Sequence, residues 1–205
     1  NQLCNFLSEI NNEGNETKNI KVNAADACLS WKTTIIELKR RLNELEKLLR
    51  VTPQNKEAVT NYENILNESK KCIRGLEGKK TRTHWKSMSD QKIISPSDMG
   101  VHNTLRTQEG VKFIDFEYAG YDDLAKLVTD IVIHPEYQLN KVKVECLINE
   151  LLGRGLTNDE AWISRYEDIK ETRRCIWQTI MLRQYIKGDK ETTIDRIVKY
   201  GNLKF

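Results

Sequence analysis

The chain has 205 residues, with 33 Lys and Arg against 30 Asp and Glu, so its formal net charge is +3. That length suits one compact domain, and the charge is too small for a dedicated nucleic-acid binder. A hydrophobic content of 39% beside 31% charged residues belongs to a chain that folds, and no stretch approaches the roughly 18 consecutive apolar residues of a membrane helix.

Leu3, Phe6, Leu7 and Ile10 recur at helical spacing, and the polar run 11–23, which holds Gly14, predicts a loop. The sequence opens inside this amphipathic segment with no Met and no basic-then-apolar leader, so we expect an excised piece of a cytoplasmic protein. Ile35, Leu38, Leu42, Leu45 and Leu49 then alternate three- and four-residue steps, the seam of a helix that Thr52-Pro53 stops. Val59, Tyr62, Leu66 and Ile73 continue a similar seam, which predicts an antiparallel helical hairpin over 30–74. Its alternative use is a scaffold that binds a partner as a coiled coil. A seam of about three heptads favours packing on its own lobe instead.

The stretch 75–90 (GLEGKKTRTHWKSMSD) is charged, has two glycines and no period, and predicts a loop. Val101–Leu105 and Val111–Phe116, joined by Gln108-Glu109-Gly110, predict a β-hairpin. Asp122 and Asp123 can cap a helix to Ile133 that Pro135 closes, and another is expected from Gln138 to Leu152. Gly153-x-Gly155 reads as a link, Thr157-x-x-Glu160 as a capping box, and the helix it opens should run to Ile186, before Gly188 and a last helix. The fold class expected is mainly α, α+β overall, helical with one small β-hairpin. No internal repeat or low-complexity segment occurs.

The five cysteines, Cys4, Cys28, Cys72, Cys146 and Cys175, are scattered and without Cys-x-x-Cys spacing, so we read them as reduced thiols. Trp162, Tyr166, Trp177 and Tyr185 lie at helical spacing, where aromatics are more often core than ligand pocket. The clusters Lys39-Arg40-Arg41 and Lys79-Lys80-x-Arg82 read as solvated faces.

The chemistry gathers between Asp98 and Asp123. Asp98 and Asn103 are followed by the hairpin and then by Asp115 at the end of an apolar strand (KFIDF). Phosphoryl transfer needs one carboxylate to take or orient a hydroxyl proton, and oxygen ligands to hold the magnesium that bridges nucleotide phosphates. A tight hairpin would set Asn103 and Asp115 side by side across its base. His102, by strand alternation, would point away from Asn103 and serve structure.

The run SPSDMGVHNTLRTQEGVKFIDFEYAGYDD (Ser95 to Asp123) resembles the catalytic loop and metal-binding segment of the aminoglycoside phosphotransferase and choline/ethanolamine kinase superfamily, whose fold is related to protein kinases. Ile114 to Tyr121 (IDFEYAGY) is especially similar to the choline and ethanolamine kinase version. The resemblance implies ATP-dependent phosphorylation of a hydroxyl on a small molecule such as an aminoglycoside, amino-alcohol or sugar. Asp98 would be the catalytic base, and Asn103 and Asp115 the Mg2+ ligands. Glu117, Asp122 and Asp123 could present charge to a cationic substrate, with helix capping as the competing role for Asp122 or Asp123. The organisation implied is a single C-terminal catalytic lobe over 1–205, with the helical hairpin at 30–74, catalytic loop and metal-binding hairpin at 91–123 and helical subdomain at 124–205. A glycine-rich loop, strand Lys and partner Glu are not found, so the nucleotide-binding small lobe is expected to be absent. One departure stands beside the base: family members usually carry His two residues before it, and here that residue is Pro96. Pro fixes φ and stiffens the loop by another route. The rival expectation is a kinase-like binding module without catalysis.

Overall fold

The computed structural model describes residues 2–12, 20–52, 56–79, 85, 92–137, 139–157, 159 and 161–202. Gly14, Pro53, Lys80, Arg82, Gln138 and Glu160 lie outside them. Two compact units form: residues 1–30 with 82–167, and residues 31–81 with 168–205. Among the described residues no helix is long and apolar enough to cross a membrane.

The first unit holds helix α1 (Gln2–Asn11), strands β1 (Ile93–Ser95), β2 (Thr104–Thr107), β3 (Gly110–Phe113) and β4 (Gly120–Asp122), and helices α4 (Leu124–Ile133) and α5 (Lys141–Gly153). β2 and β3 form the expected hairpin, Thr104 opposite Phe113 and Thr107 opposite Gly110. Its turn requires glycine, because Gly110 sits at φ 124°, where a side chain is strained. β1 and β4 form a second antiparallel pair, Ile93 opposite Asp122 and Ser95 opposite Gly120. On the other side of β1 the Asn11 amide acts as a strand: Ile94 N–H donates to its Oδ1 at 2.7 Å, and its Nδ2 donates to Ile94 O at 3.0 Å. β4 is met by residues 22–24, with Tyr121 N–H on Val22 O at 2.9 Å. Gly120 permits that approach, since a Cβ there would stand 2.6 Å from Ala24 N. α1 packs on β1 and α5. Its Phe6 stacks on Phe113 at 4.5 Å and on Phe116 at 5.7 Å between ring centres, fixing the hairpin to the body.

Charge is built into this unit's interior. The Lys126 ammonium lies 3.0 Å from Asp122 and 3.1 Å from Asp130, with both Lys126 and Asp122 buried. Asp123 caps α4 by accepting from Ala125 N–H at 3.1 Å, as its position predicts. It also takes both ends of the buried Arg165 fork, at 2.6 and 2.9 Å, while Arg165 Nη1 reaches Asp159 at 2.6 Å.

The second unit holds α2 (Trp31–Val51), α3 (Lys56–Gly78) and α7 (Ile194–Gly201). α6 (Trp162–Ile186) gives its first turns to the first unit and the rest to the second. Leu38, Leu42 and Leu45 of the predicted α2 seam, Ala58 and Ile65 of α3, Ile176 and Leu182 of α6, and Ile197 and Tyr200 of α7 form one buried core; of the seam expected for α3, Tyr62, Leu66 and Ile73 pack against it partly buried and Val59 is not part of it. Glu37 is buried among them, held by Arg173 at 2.6 Å and Arg41 at 2.8 Å.

Two expectations change. α3 does not end near Ile73; it runs through Gly75 to Gly78 because Leu76 is buried and anchors a further turn. The residues from 101 do not begin a strand, since Val101–Asn103 is a turn of 3₁₀ helix and β2 starts at Thr104. At the entry to α6, Asp159 Oδ1 accepts from Ala161 N–H at 3.0 Å, after Thr157 Oγ1 has accepted from Asp159 N–H at 3.1 Å.

Candidate active site

The loop between β1 and β2 is held by closely spaced bonds. Pro96 is buried, and its carbonyl accepts from Asp98 N–H at 2.9 Å across Ser97, whose φ is 68°. A bond spanning one residue at positive φ has the form of a γ-turn that non-glycine residues rarely adopt. Ser97 is kept there by its own bonds: its N–H donates to Ser95 Oγ at 3.1 Å and its hydroxyl to Ala25 O at 3.2 Å. The turn lifts Asp98 out of the buried strand. Asp98 Oδ1 then accepts from Gly100 N–H at 3.0 Å, which fixes the carboxylate with Oδ2 half-exposed beside His102 Nε2 at 3.4 Å.

Asn103 joins this loop to the hairpin. Its buried side chain donates from Nδ2 to Asp98 O at 3.3 Å, and its carbonyl accepts from Ile114 N–H at 3.0 Å. With Nδ2 so engaged, Oδ1 is the end of the amide left to face a cation. Asp115, the residue after Ile114, is exposed and has φ 62°, left-handed backbone that Asp tolerates better than most residues. Asp98 and Asp115 share a neighbourhood: the exposed Tyr118 phenol is held above its usual range by its hydrogen bond to Glu117, by the Glu117 charge, and further by Asp115 and Asp98. Asp98, Asp115 and Glu117 thus all act on the Tyr118 phenol, and Asn103 adds an amide oxygen to the candidate donors. A hard divalent cation takes such oxygen donors, and the donor set fits magnesium. Among the described residues no group of three or more His, Cys, Asp or Glu could hold a metal ion. The arrangement would leave coordination positions to water or phosphate oxygens.

The three other acidic candidates separate. Glu117 is exposed at the site. Asp122 and Asp123 are buried and bonded within the fold, so they present no charge at the surface, and Asp123 fills the helix-cap role expected of one of the two. Burial pushes the Asp122 carboxyl upward, against the opposing pull of Lys126 and of the N–H groups of Cys28 and Asp123.

Sequence reasoning missed the other support of the loop, the segment His134-Pro135-Glu136-Tyr137. The Tyr137 hydroxyl donates to Met99 O, and Glu136 accepts from Val101 N–H at 2.9 Å. His102 also departs from expectation. The 3₁₀ turn replaces strand alternation, and its ring stands between Asp98 and Glu136, whose Oε2 is 3.5 Å from Nδ1. Only Pro135 carried a signal in this segment, and it read as a helix stop. The aromatic residues Trp162 and Tyr166 are buried, as core residues are.

No family model and no curated protein matches the chain. Among solved structures, its fold is similar to that of an ethanolamine kinase from Plasmodium vivax, at 14% identity and a TM-score of 0.56, covering 97% of this chain and 56% of that one. The chain thus spans little more than half the length of that enzyme. At this identity the likeness is one of fold: a mainly helical chain with small antiparallel sheets, compatible with the C-terminal lobe of a kinase-like architecture.

Proposed function

We propose that the chain is the large, catalytic lobe of a phosphotransferase that moves the terminal phosphoryl group of ATP onto a hydroxyl of a small molecule, with a nucleotide-binding small lobe supplied outside these residues. The observation that carries this reading is Asn103, which ties the Asp98 loop through Nδ2 and the Asp115 strand through its carbonyl. Asp98, held by Gly100, is the group to accept the hydroxyl proton as attack begins. Asn103 and Asp115 would hold magnesium, which when bound neutralises charge on the phosphates. The protein's own share is positioning, and the γ-turn at Ser97 and the left-handed Asp115 are the strained points that supply it. The kinase fold of the similar structure supports the class. Exposed Glu117 favours acceptors bearing an ammonium group, such as amino-alcohols or aminoglycosides.

The second reading, a kinase-like module that binds without catalysing, rests on Pro96 in place of the expected His. Phosphoryl transfer to a panel of amino-alcohols, aminoglycosides and sugars, measured on the complete protein, separates the two. Asp98→Asn should lower turnover by about 10²–10⁴ with the circular dichroism spectrum unchanged. Asp115→Ala should abolish magnesium-dependent nucleotide binding in calorimetry. Undiminished transfer in Asp98→Asn refutes the assignment. Metal-dependent binding by the wild type without transfer to any acceptor favours the second reading.

A further inference from the structure

Away from the candidate active site, the second unit brings two cysteines together that stand 103 residues apart in sequence. Cys72 lies on the buried stripe of α3 that also carries Asn61, Ile65, Ser69 and Leu76. Cys175 is fully buried on α6. Their sulfurs are 3.8 Å apart. The pair has built surroundings. The two thiols are in hydrogen-bond contact with each other, while the Arg174 guanidinium adds positive charge nearby and Glu171 opposes it. Each thiol is the other's main electrostatic neighbour, and burial disfavours the charged form of both.

The pair's access to solvent is through Cys72, since Cys175 is fully buried. Cys72 is only partly buried, and the residues just before the two cysteines, Lys71 and Arg174, line an open polar cleft of about 940 Å³ together with Glu68 and Glu171. Water and solutes as small as a peroxide fit such a cleft. A disulfide would draw the sulfurs from 3.8 Å to roughly 2.05 Å.

We propose that Cys72 and Cys175 form a reversible disulfide clasp between α3 and α6, closed by hydrogen peroxide and opened by a thiol reductant. One of the two sulfurs, as its thiolate, attacks one peroxide oxygen; an S–O bond forms as the O–O bond breaks, and the departing hydroxide takes up the thiol's proton as water. The other sulfur then attacks the sulfenic sulfur; the S–S bond forms, the S–O bond breaks, and the leaving hydroxide carries away the second thiol's proton as a second water. Two thiols lose two electrons in all, and one peroxide is reduced to two waters.

The test treats the folded, reduced protein with graded hydrogen peroxide, blocks remaining thiols with iodoacetamide under denaturing conditions, and maps the peptides. The expected result is a Cys72–Cys175 linked peptide that dithiothreitol removes, formed equally in Cys146→Ser, which lacks the exposed thiol. The oxidised protein should also melt several degrees higher than the reduced one, because the link closes a long loop in the unfolded chain. Cys72→Ser and Cys175→Ser should each lose both effects. The wild-type map alone decides the matter if either variant folds poorly. Oxidation confined to Cys146, or a Cys72 or Cys175 carried on to sulfinate with no linked peptide, overturns the proposal.

Discussion

The two units bury charge for different ends. In the second, Glu37 with Arg41 and Arg173 is an ion cluster beside a core of leucine and isoleucine from four helices. In the first, two chains of charge, Asp122–Lys126–Asp130 and Asp123–Arg165–Asp159, begin at the two aspartates that follow the candidate site in the chain. Buried ion pairs add little net stability over apolar residues of similar size, because desolvation cancels most of the attraction. What they supply is direction, since a fork matches a carboxylate in one orientation only. The helical unit needs volume to be filled, and the site-bearing unit needs Ser97 and Asp115 held at unusual backbone angles. The difference in interiors follows from that.

The hardest way to break this contrast is Arg165→Met. It leaves Asp123 and Asp159 buried without their cation, and should cost about 3–5 kcal/mol in urea unfolding. Replacing the partners as well, with Asp123→Asn and Asp159→Asn in the same chain, should recover a good part of the loss, since Asn still caps α4. A triple variant no more stable than Arg165→Met would mean that the network is not the unit acting here. Next in size is Leu38→Ala in the aliphatic core, expected to cost about 2–5 kcal/mol by cavity formation. There Leu38→Met should cost below about 1.5 kcal/mol, because volume is what that core asks for. A Leu38→Met as harmful as Leu38→Ala would erase the distinction between the units.

The same contrast decides what the chain discloses before it folds. α2 is legible because Leu38, Leu42 and Leu45 repeat a local rule, and α4 because Asp123 stands where a cap must. The pair β1 and β4 is not: each is three residues long, too short to show a period, and its partners are Asn11 and residues 22–24, far away in sequence. Gly75 and Gly78 misled because their local preference is overruled by the burial of Leu76. At the site, Asp98, Asn103 and Asp115 could be found by spacing, and the structure links the Asp98 loop to the segment before Asp115 through backbone and amide bonds. Arg165, Glu136 and Tyr137 could not, since each acts through a contact dozens of residues distant.

Caps offer a smaller, symmetrical comparison. Asn140 accepts from Lys143 N–H at 3.0 Å at the start of α5 in the first unit, and Thr193 from Arg196 N–H at 3.2 Å at the start of α7 in the second. Asn140→Ala and Thr193→Ala should each cost about 1 kcal/mol, whichever interior lies beneath. A cost several times larger for Asn140→Ala alone would show that the first unit's loops are coupled to its charge network.

His134 supplies the finest distinction, because it is buried in the first unit as a neutral group among ions. Burial holds its imidazole below the usual range, and the nearby His102 charge acts the same way, while Glu136, Asp98 and Asp130 pull upward and lose. The hydrogen bond agrees: Nδ1 accepts from Glu136 N–H at 3.2 Å, which a protonated ring cannot do. A histidine with its folded value depressed is protonated first in the unfolded chain. Its contribution is therefore complete above the unfolded value of about 6.5, and is lost as pH falls from there to the lower folded value. His134→Asn, whose amide oxygen can take the same N–H, should flatten the decline of the melting midpoint below pH about 6.5 relative to wild type, and leave the two curves parallel above it. Curves that stay parallel throughout would mean that Glu136, Asp98 and Asp130 offset the burial completely, and that this histidine belongs with the paired charges of its unit after all.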